Sequence, residues 1–141
     1  MAQAIPYLAF GGTCAEAMDF YARTLGLGAE LTMMFRGRDA PPDAGMPENF
    51  ADRVIHARIQ FGDGSLLYGG DTPPDMPYDG TRGVNVTMNY PTAAEAEEVW
   101  SALVEGGKVE MPFAPAFWAK KAGMLIDRFG VAWSINGDVT M

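Results

Sequence analysis

The sequence has one cysteine and one histidine in 141 residues. A single thiol, Cys14, rules out a disulfide framework within the chain and agrees with a reducing compartment, so a cytoplasmic location is expected. A single imidazole, His56, rules out any site that takes two histidines from one chain, HExxH and three-His zinc sites included. Positive charge is also scarce: ten Lys and Arg against eighteen Asp and Glu give a net charge of −8. Nucleic acid is bound by a surplus of cations, and anionic lipid repels an acidic surface, so neither is an expected partner. No apolar run reaches the roughly 20 residues that span a bilayer. The opening MAQAIPYLAF has no basic lead and no cleavage site, which again points away from a membrane.

What is present is ordinary globular material, with 48% apolar and 20% charged residues, enough for one domain with a real core. Seventeen glycines and ten prolines mark frequent turns and favour a strand-rich domain over a helical bundle. Ten methionines read as adaptable core filler, or as the lining of a pliable apolar pocket.

Segment 4–10 is short, apolar and closed by Gly11-Gly12, so it reads as a strand. Segment 13–26 reads as a helix, with Thr13 and Glu16 spaced as a capping box and Gly26 or Gly28 as the stop. Leu31–Phe35 reads as a strand, and 37–52 as a Pro/Gly/Asp-rich loop long enough to serve as a mobile flap. VIHARIQF (54–61) alternates like a half-buried strand and turns through Gly62-Asp63-Gly64 into SLLYGG (65–70). After a turn-rich linker at 71–83 the order begins again, with strand 84–90 and helix 92–107 capped by Thr92 and Glu95. Thr13-x-Ala-Glu-Ala and Thr92-x-Ala-Glu-Ala lie 79 positions apart, and FGDGSLLY (61–68) resembles DRFGVAWS (127–134). Strand, helix and closing hairpin repeating together imply one domain over 1–141 made of two βαβββ modules, about 4–71 and 83–137.

A duplicated βαβββ unit of this length resembles the vicinal oxygen chelate superfamily, which includes glyoxalase I, bleomycin-resistance proteins and extradiol dioxygenases. The phrases YLAFGGTCAEAMDFYARTLG, VIHARIQFGDGSLLYGGD and LVEGGKVEMPFAPAFWAKKAGMLIDRFGVAWSIN resemble its PhnB-like branch, from about Ile5 to Asn136. The implied fold is α+β, the two modules forming a curved mixed sheet with a cup-shaped pocket, in a homodimer. The branch often carries a demethylubiquinone methyltransferase label. Transfer of a methyl group from S-adenosylmethionine calls for a doubly wound sheet, which a short chain repeating βαβββ does not provide, so that activity is not expected.

Metal-using members of the superfamily hold a divalent ion through His, Gln and Glu on the first and last strands of both modules. Carried over, those positions fall near Ile5, Gly69, Asn85 and Ser134, with Tyr68 beside Gly69. None is a strong ligand, so no cofactor is expected and the ligand positions do not support a divalent metal.

The remaining polar candidates are His56, Asp71 and Asp127. His56 reads as a general base or as a hydrogen-bonded histidine at a sheet rim. Both aspartates read first as turn residues. Tyr7, Phe10, Tyr68, Phe117, Trp118 and Trp133 are the aromatic candidates for a pocket that takes a planar or apolar ligand, although Tyr7 and Trp133 also suit sheet–helix packing. Lys120 and Lys121 are available to an anion or simply solvated. Cys14 opens a helix, where a thiol is activated, but the sequence places no base beside it. The leading expectation is a small-molecule-binding protein. The alternative is a lyase, isomerase or dioxygenase-like enzyme acting on a small oxygenated substrate with His56 as base, with or without a weakly held divalent metal, and a third reading is a dimer whose pocket is filled by its own side chains.

Overall fold

The structure, a computed structural model, describes residues 2–141, and the chain divides into two compact units, Met1–Asp79 and Gly80–Met141. The first unit contains β1 (Tyr7–Phe10), α1 (Cys14–Thr24), β2 (Glu30–Arg36), β3 (Val54–Gln60) and β4 (Leu66–Asp71). Its strands order as β1-β4-β3-β2, with β1 parallel to β4 and the other neighbours antiparallel. The second unit contains β5 (Val86–Tyr90), α2 (Ala93–Leu103), β6 (Lys108–Ala114), β7 (Ala119–Ile126) and β8 (Ala132–Val139). Its order is β5-β8-β7-β6, again with the first and last strands parallel. The βαβββ order is therefore present twice, in the α+β class. No described helix is long and apolar enough to cross a membrane.

Each helix buries one stripe on its own sheet. In α1 the stripe is Cys14, Ala17, Met18 and Tyr21, the spacing of a single helical face, and in α2 it is Ala96, Val99 and Leu103. Leu8, Phe10, Ala57, Ile59 and Leu67 form the buried sheet face of the first unit. Met88, Tyr90, Leu125, Trp133 and Ile135 do so in the second. Glycines let the layers close: a Cβ on Gly69 would sit 2.9 Å from the Met18 sulfur, and one on Gly137 would sit 2.6 Å from Ala93 Cα.

The helix starts are satisfied in two different ways. The Thr92 hydroxyl accepts from Glu95 N at 3.1 Å, as its spacing predicts. Thr13 makes no such bond, which corrects the expected cap there. Asp71 takes over from the end of β4: its Oδ1 accepts from Gly12 N at 2.9 Å and Cys14 N at 3.0 Å, and its Oδ2 accepts from Val54 N at 2.9 Å. A carboxylate at a helix N-terminus satisfies orphan donors and is favoured by the peptide dipoles. One side chain thus ties together α1, β3 and β4.

Asp127 has a comparable role in the second unit. Its Oδ1 accepts from Phe129 N at 2.9 Å and Val131 N at 3.0 Å, and its Oδ2 accepts from the Trp133 indole at 2.8 Å. The carboxyl is buried, with 4% of the residue exposed.

Two proline-containing stretches carry local order. Loop 37–52 is not patternless: it contains three short 3-10 turns, and its base is closed by Gly37 N to Arg53 O and Arg38 N to Ala51 O, with Phe50 buried. The Pro-rich stretch before Trp118 is half strand, because Pro112 lies in β6, an edge strand paired only with β7 and irregular in register there. An edge position tolerates a residue with no N–H.

Asp127→Ala strands two amides and an indole N–H in a buried turn. Equilibrium urea denaturation is expected to show a loss of about 3 kcal/mol or more. Asp63→Ala, in the equivalent but exposed turn, is expected to cost far less. Equal losses from the two substitutions would contradict this account of the turn.

Candidate functional site

Alternation along the strands gives each sheet a second face, turned away from its helix. In the first unit that face carries Tyr7 on β1, Tyr68 on β4, His56 and Arg58 on β3, and Met33 and Phe35 on β2. Register aligns them: Tyr7 lies opposite Tyr68, Tyr68 opposite Arg58, Met33 opposite Arg58, and Phe35 opposite His56. The His56 ring meets the edge of Tyr68 at 4.6 Å between centroids and an interplanar angle of 78°, and it lies 5.9 Å from the Tyr7 ring. Tyr7 is 54% exposed, whereas the residues on either side of Tyr68 face inward or are glycine.

The phrase LLYGGD explains why these rings stay in place. Leu67 and Gly69 point to the helix, and Tyr68 points to the open face. Gly70 leaves room for the Tyr7 hydroxyl, which donates to Ile55 O at 2.9 Å; a Cβ on Gly70 would collide with both groups. Burial, then interaction with Cys14 and the negative charge of Asp71, raises the Tyr7 phenol above its ordinary value, so it stays protonated and keeps donating. Arg58 Nε donates to the Thr32 hydroxyl at 3.1 Å. Among the described residues, no hydrogen bond is made by either nitrogen of His56, which leaves the imidazole available to a ligand.

The second unit's open face is polar. Thr87 and Asn89 on β5 lie opposite Ser134 and Asn136 on β8, and Met124 on β7 lies opposite Ser134. The Trp118 indole N–H, in the turn between β6 and β7, donates to Asn136 Oδ1 at 3.1 Å, and Asn136 Nδ2 donates to Asn89 Oδ1 at 2.9 Å. Phe117 stands edge-on to Trp118 and is 81% exposed.

Several expected site residues lie elsewhere. Phe10 and Trp133 are fully buried on the helix side of their sheets, so they are core and do not line an open face. Gly69 also faces its helix, while Ile5 and Asn85 precede their strands. The positions facing outward on the first and last strands are instead Tyr7 with Tyr68, and Thr87 with Ser134. Asp71 and Asp127 have their carboxylates committed to backbone and indole donors. Arg58, Phe35, Asn89 and Asn136 were missed, although alternation from His56 through Arg58 was a signal for the first of them.

The sequence profile of a family described as 3-demethylubiquinone-9 3-methyltransferase matches residues 2–136. Protein YjdN of Escherichia coli (strain K12) is 31% identical over 139 residues, covering 93% of this chain and 92% of that protein. The crystal structure of protein PA1353 from Pseudomonas aeruginosa is 40% identical, with a TM-score of 0.86 and 98% of both chains covered. The PhnB protein from Bacillus cereus is 26% identical, with a TM-score of 0.77, over 96% of this chain and 98% of that one. The chain belongs to this PhnB-like family. A glyoxylase/bleomycin resistance protein/dioxygenase domain from Frankia sp. EAN1pec shares the fold at 10% identity, with a TM-score of 0.65 over 97% of this chain and 98% of that one.

Neither group implied by these kinships fits the PhnB-like chain. The residues facing outward on the first and last strands are Tyr7 with Tyr68 in one unit and Thr87 with Ser134 in the other, neutral hydroxyls that bind divalent ions weakly. Among the described residues, no three His, Cys, Asp or Glu side chains gather as a metal site. For S-adenosylmethionine, the Gly-rich turn before α1 is a faint echo of a nucleotide-binding loop, and its Gly12 and Cys14 amides are already taken by Asp71.

Cys14 is buried, and burial, then the Asp71 charge, pushes its thiol up to about 12 despite an opposing contribution from Arg36. The neutral thiol is therefore the form the fold holds well above neutral pH. Alkylation by iodoacetamide is expected to stay slow from about pH 8 to pH 10 in the native protein and to become fast in guanidinium. Rapid native labelling that rises with pH as for an ordinary thiol would contradict this environment.

Proposed function

We propose that this PhnB-like protein binds a small planar or apolar molecule on the open face of its first sheet, against Tyr7, His56 and Tyr68. One observation carries the reading: three rings are held in fixed mutual geometry on the face turned away from α1. Rings of this kind offer large contact area at little entropic cost, and their edges and faces suit another planar system. The reading includes a homodimer, since β2 and β6 are edge strands whose Met33 and Val109 remain exposed, and a cytoplasmic location, in line with the lone cysteine.

Because His56 is the sole histidine, its Cε1–H resonance is unambiguous by NMR. Titration with 2-naphthol is expected to shift that resonance saturably, and Tyr68→Ala is expected to weaken binding roughly fivefold. Lys108→Ala, outside this face, is expected to leave it unchanged. An unmoved His56 resonance, or equal affinity in Tyr68→Ala, would sink the proposal.

One observation favours a second reading, in which the face is an enzyme's and acts as a lyase, isomerase or dioxygenase-like site: the unengaged imidazole of His56 is suited to take a proton from a bound substrate. Under this reading His56→Gln keeps ligand affinity within about twofold and abolishes turnover. Loss of affinity alone would return the face to a binding role.

A further inference from the structure

The second unit contains a hydrogen-bond chain whose direction is fixed. An indole N–H can only donate, so the group facing Trp118 Nε1 must be the oxygen of Asn136. That places the Asn136 amide nitrogen toward Asn89, where it donates to Oδ1 at 2.9 Å. Asn89 is thereby oriented as well: its oxygen is engaged, and its Nδ2 hydrogens have no partner among the described residues. Asn89 is exposed on β5, in register with Asn136 on β8 and facing away from the buried Met88 and Tyr90. Beside the chain stands Phe117, 81% exposed and edge-on to the anchored indole at 4.9 Å.

We propose that this face is a recognition site of its own, reading a carbonyl oxygen carried by a small planar molecule. Asn89 Nδ2 donates to that oxygen, and Phe117 with Trp118 flanks the ring. Trp118 is a positioning residue: it sets which end of each amide points outward, and so makes the site a reader of acceptors rather than donors. Without it, each asparagine presents either end, and the preference disappears. The site is confined to the second unit and does not rest on Tyr7, His56 or Tyr68.

The test is a titration of 15N-labelled full-length protein with acetophenone, an acceptor, and with benzylamine, a donor of similar size. The Asn89 and Asn136 side-chain amides and the Trp118 indole N–H report on this face, and His56 reports separately on the other. Acetophenone is expected to shift the Asn89 amide and to bind about tenfold more tightly than benzylamine. Asn89→Asp still accepts from Asn136 but has no N–H to offer, so it is expected to invert that preference. Trp118→Phe keeps an aromatic surface and is expected to bring the two probes within about twofold of each other. The proposal is overturned if acetophenone leaves Asn89 unmoved at millimolar concentration, if Asn89→Asp binds it as the wild type does, or if Trp118→Phe retains full discrimination. A shift at His56 with none at Asn89 would remove this site and leave the first-sheet reading intact.

Discussion

The first unit depends on the carboxylate of Asp71. A helix beginning directly after a tight glycine turn leaves its first amides without partners, and Thr13 does not supply one. Asp71 satisfies Gly12 and Cys14 with one oxygen and Val54 with the other. The end of β4, the start of β3 and the start of α1 are thus fixed to one group. The neighbouring positions then follow from strand alternation: Gly69 admits the helix, Gly70 admits the Tyr7 hydroxyl, and Tyr68 is left facing outward beside His56. Burial, with the same carboxylate, raises the Cys14 thiol, so a cysteine at a helix start, elsewhere an activated nucleophile, is here held as the neutral thiol in the core.

The second unit keeps the topology and reassigns the positions. Gly137 stands in the register place of Asp71, opposite Tyr90 as Asp71 stands opposite Phe10. With no carboxylate there, α2 caps itself through Thr92, and the missing side chain lets Ala93 and Ala96 come close. Asn136 stands where Gly70 would be, and the outward face exchanges edge-on rings for an amide chain. The two units thus share the buried half of each sheet, while their outward halves differ in chemistry. That pattern fits a fold whose core is constrained by packing and whose function resides on the open faces.

Much of the fold was legible because its signals are local. The Thr-x-Ala-Glu-Ala repeat, the alternation in VIHARIQF and the Gly-Asp-Gly turn each constrain a few adjacent residues. The family resemblance was legible for the same reason, and the kinship to YjdN and PA1353 supports it. The site was less legible, since it depends on which way a strand faces, and register is set by distant pairing. A shift of one residue separates Tyr68, on the face, from Gly69, under the helix, so a ligand position read as Gly69 with Tyr68 beside it left the facing open. Asp71 and Asp127 resembled turn residues, and Asp127 is one. The long-range bonds of Asp71 to residues 12 and 14 leave no mark in its own neighbourhood. Phe10 was misplaced, and Trp133 was left between pocket and packing, because an aromatic on a strand looks the same whichever side it faces.

The central claim is that ligands meet the uncovered strand faces and not the helix-side glycine turn before α1. The most direct test is a crystal soaked with a set of small planar aromatic fragments, with the ordered density located. The account predicts fragments stacked against His56 and Tyr68. Fragments gathered instead at the Gly11-Gly12 turn, with Asp71 displaced from the amides of Gly12 and Cys14, would contradict it.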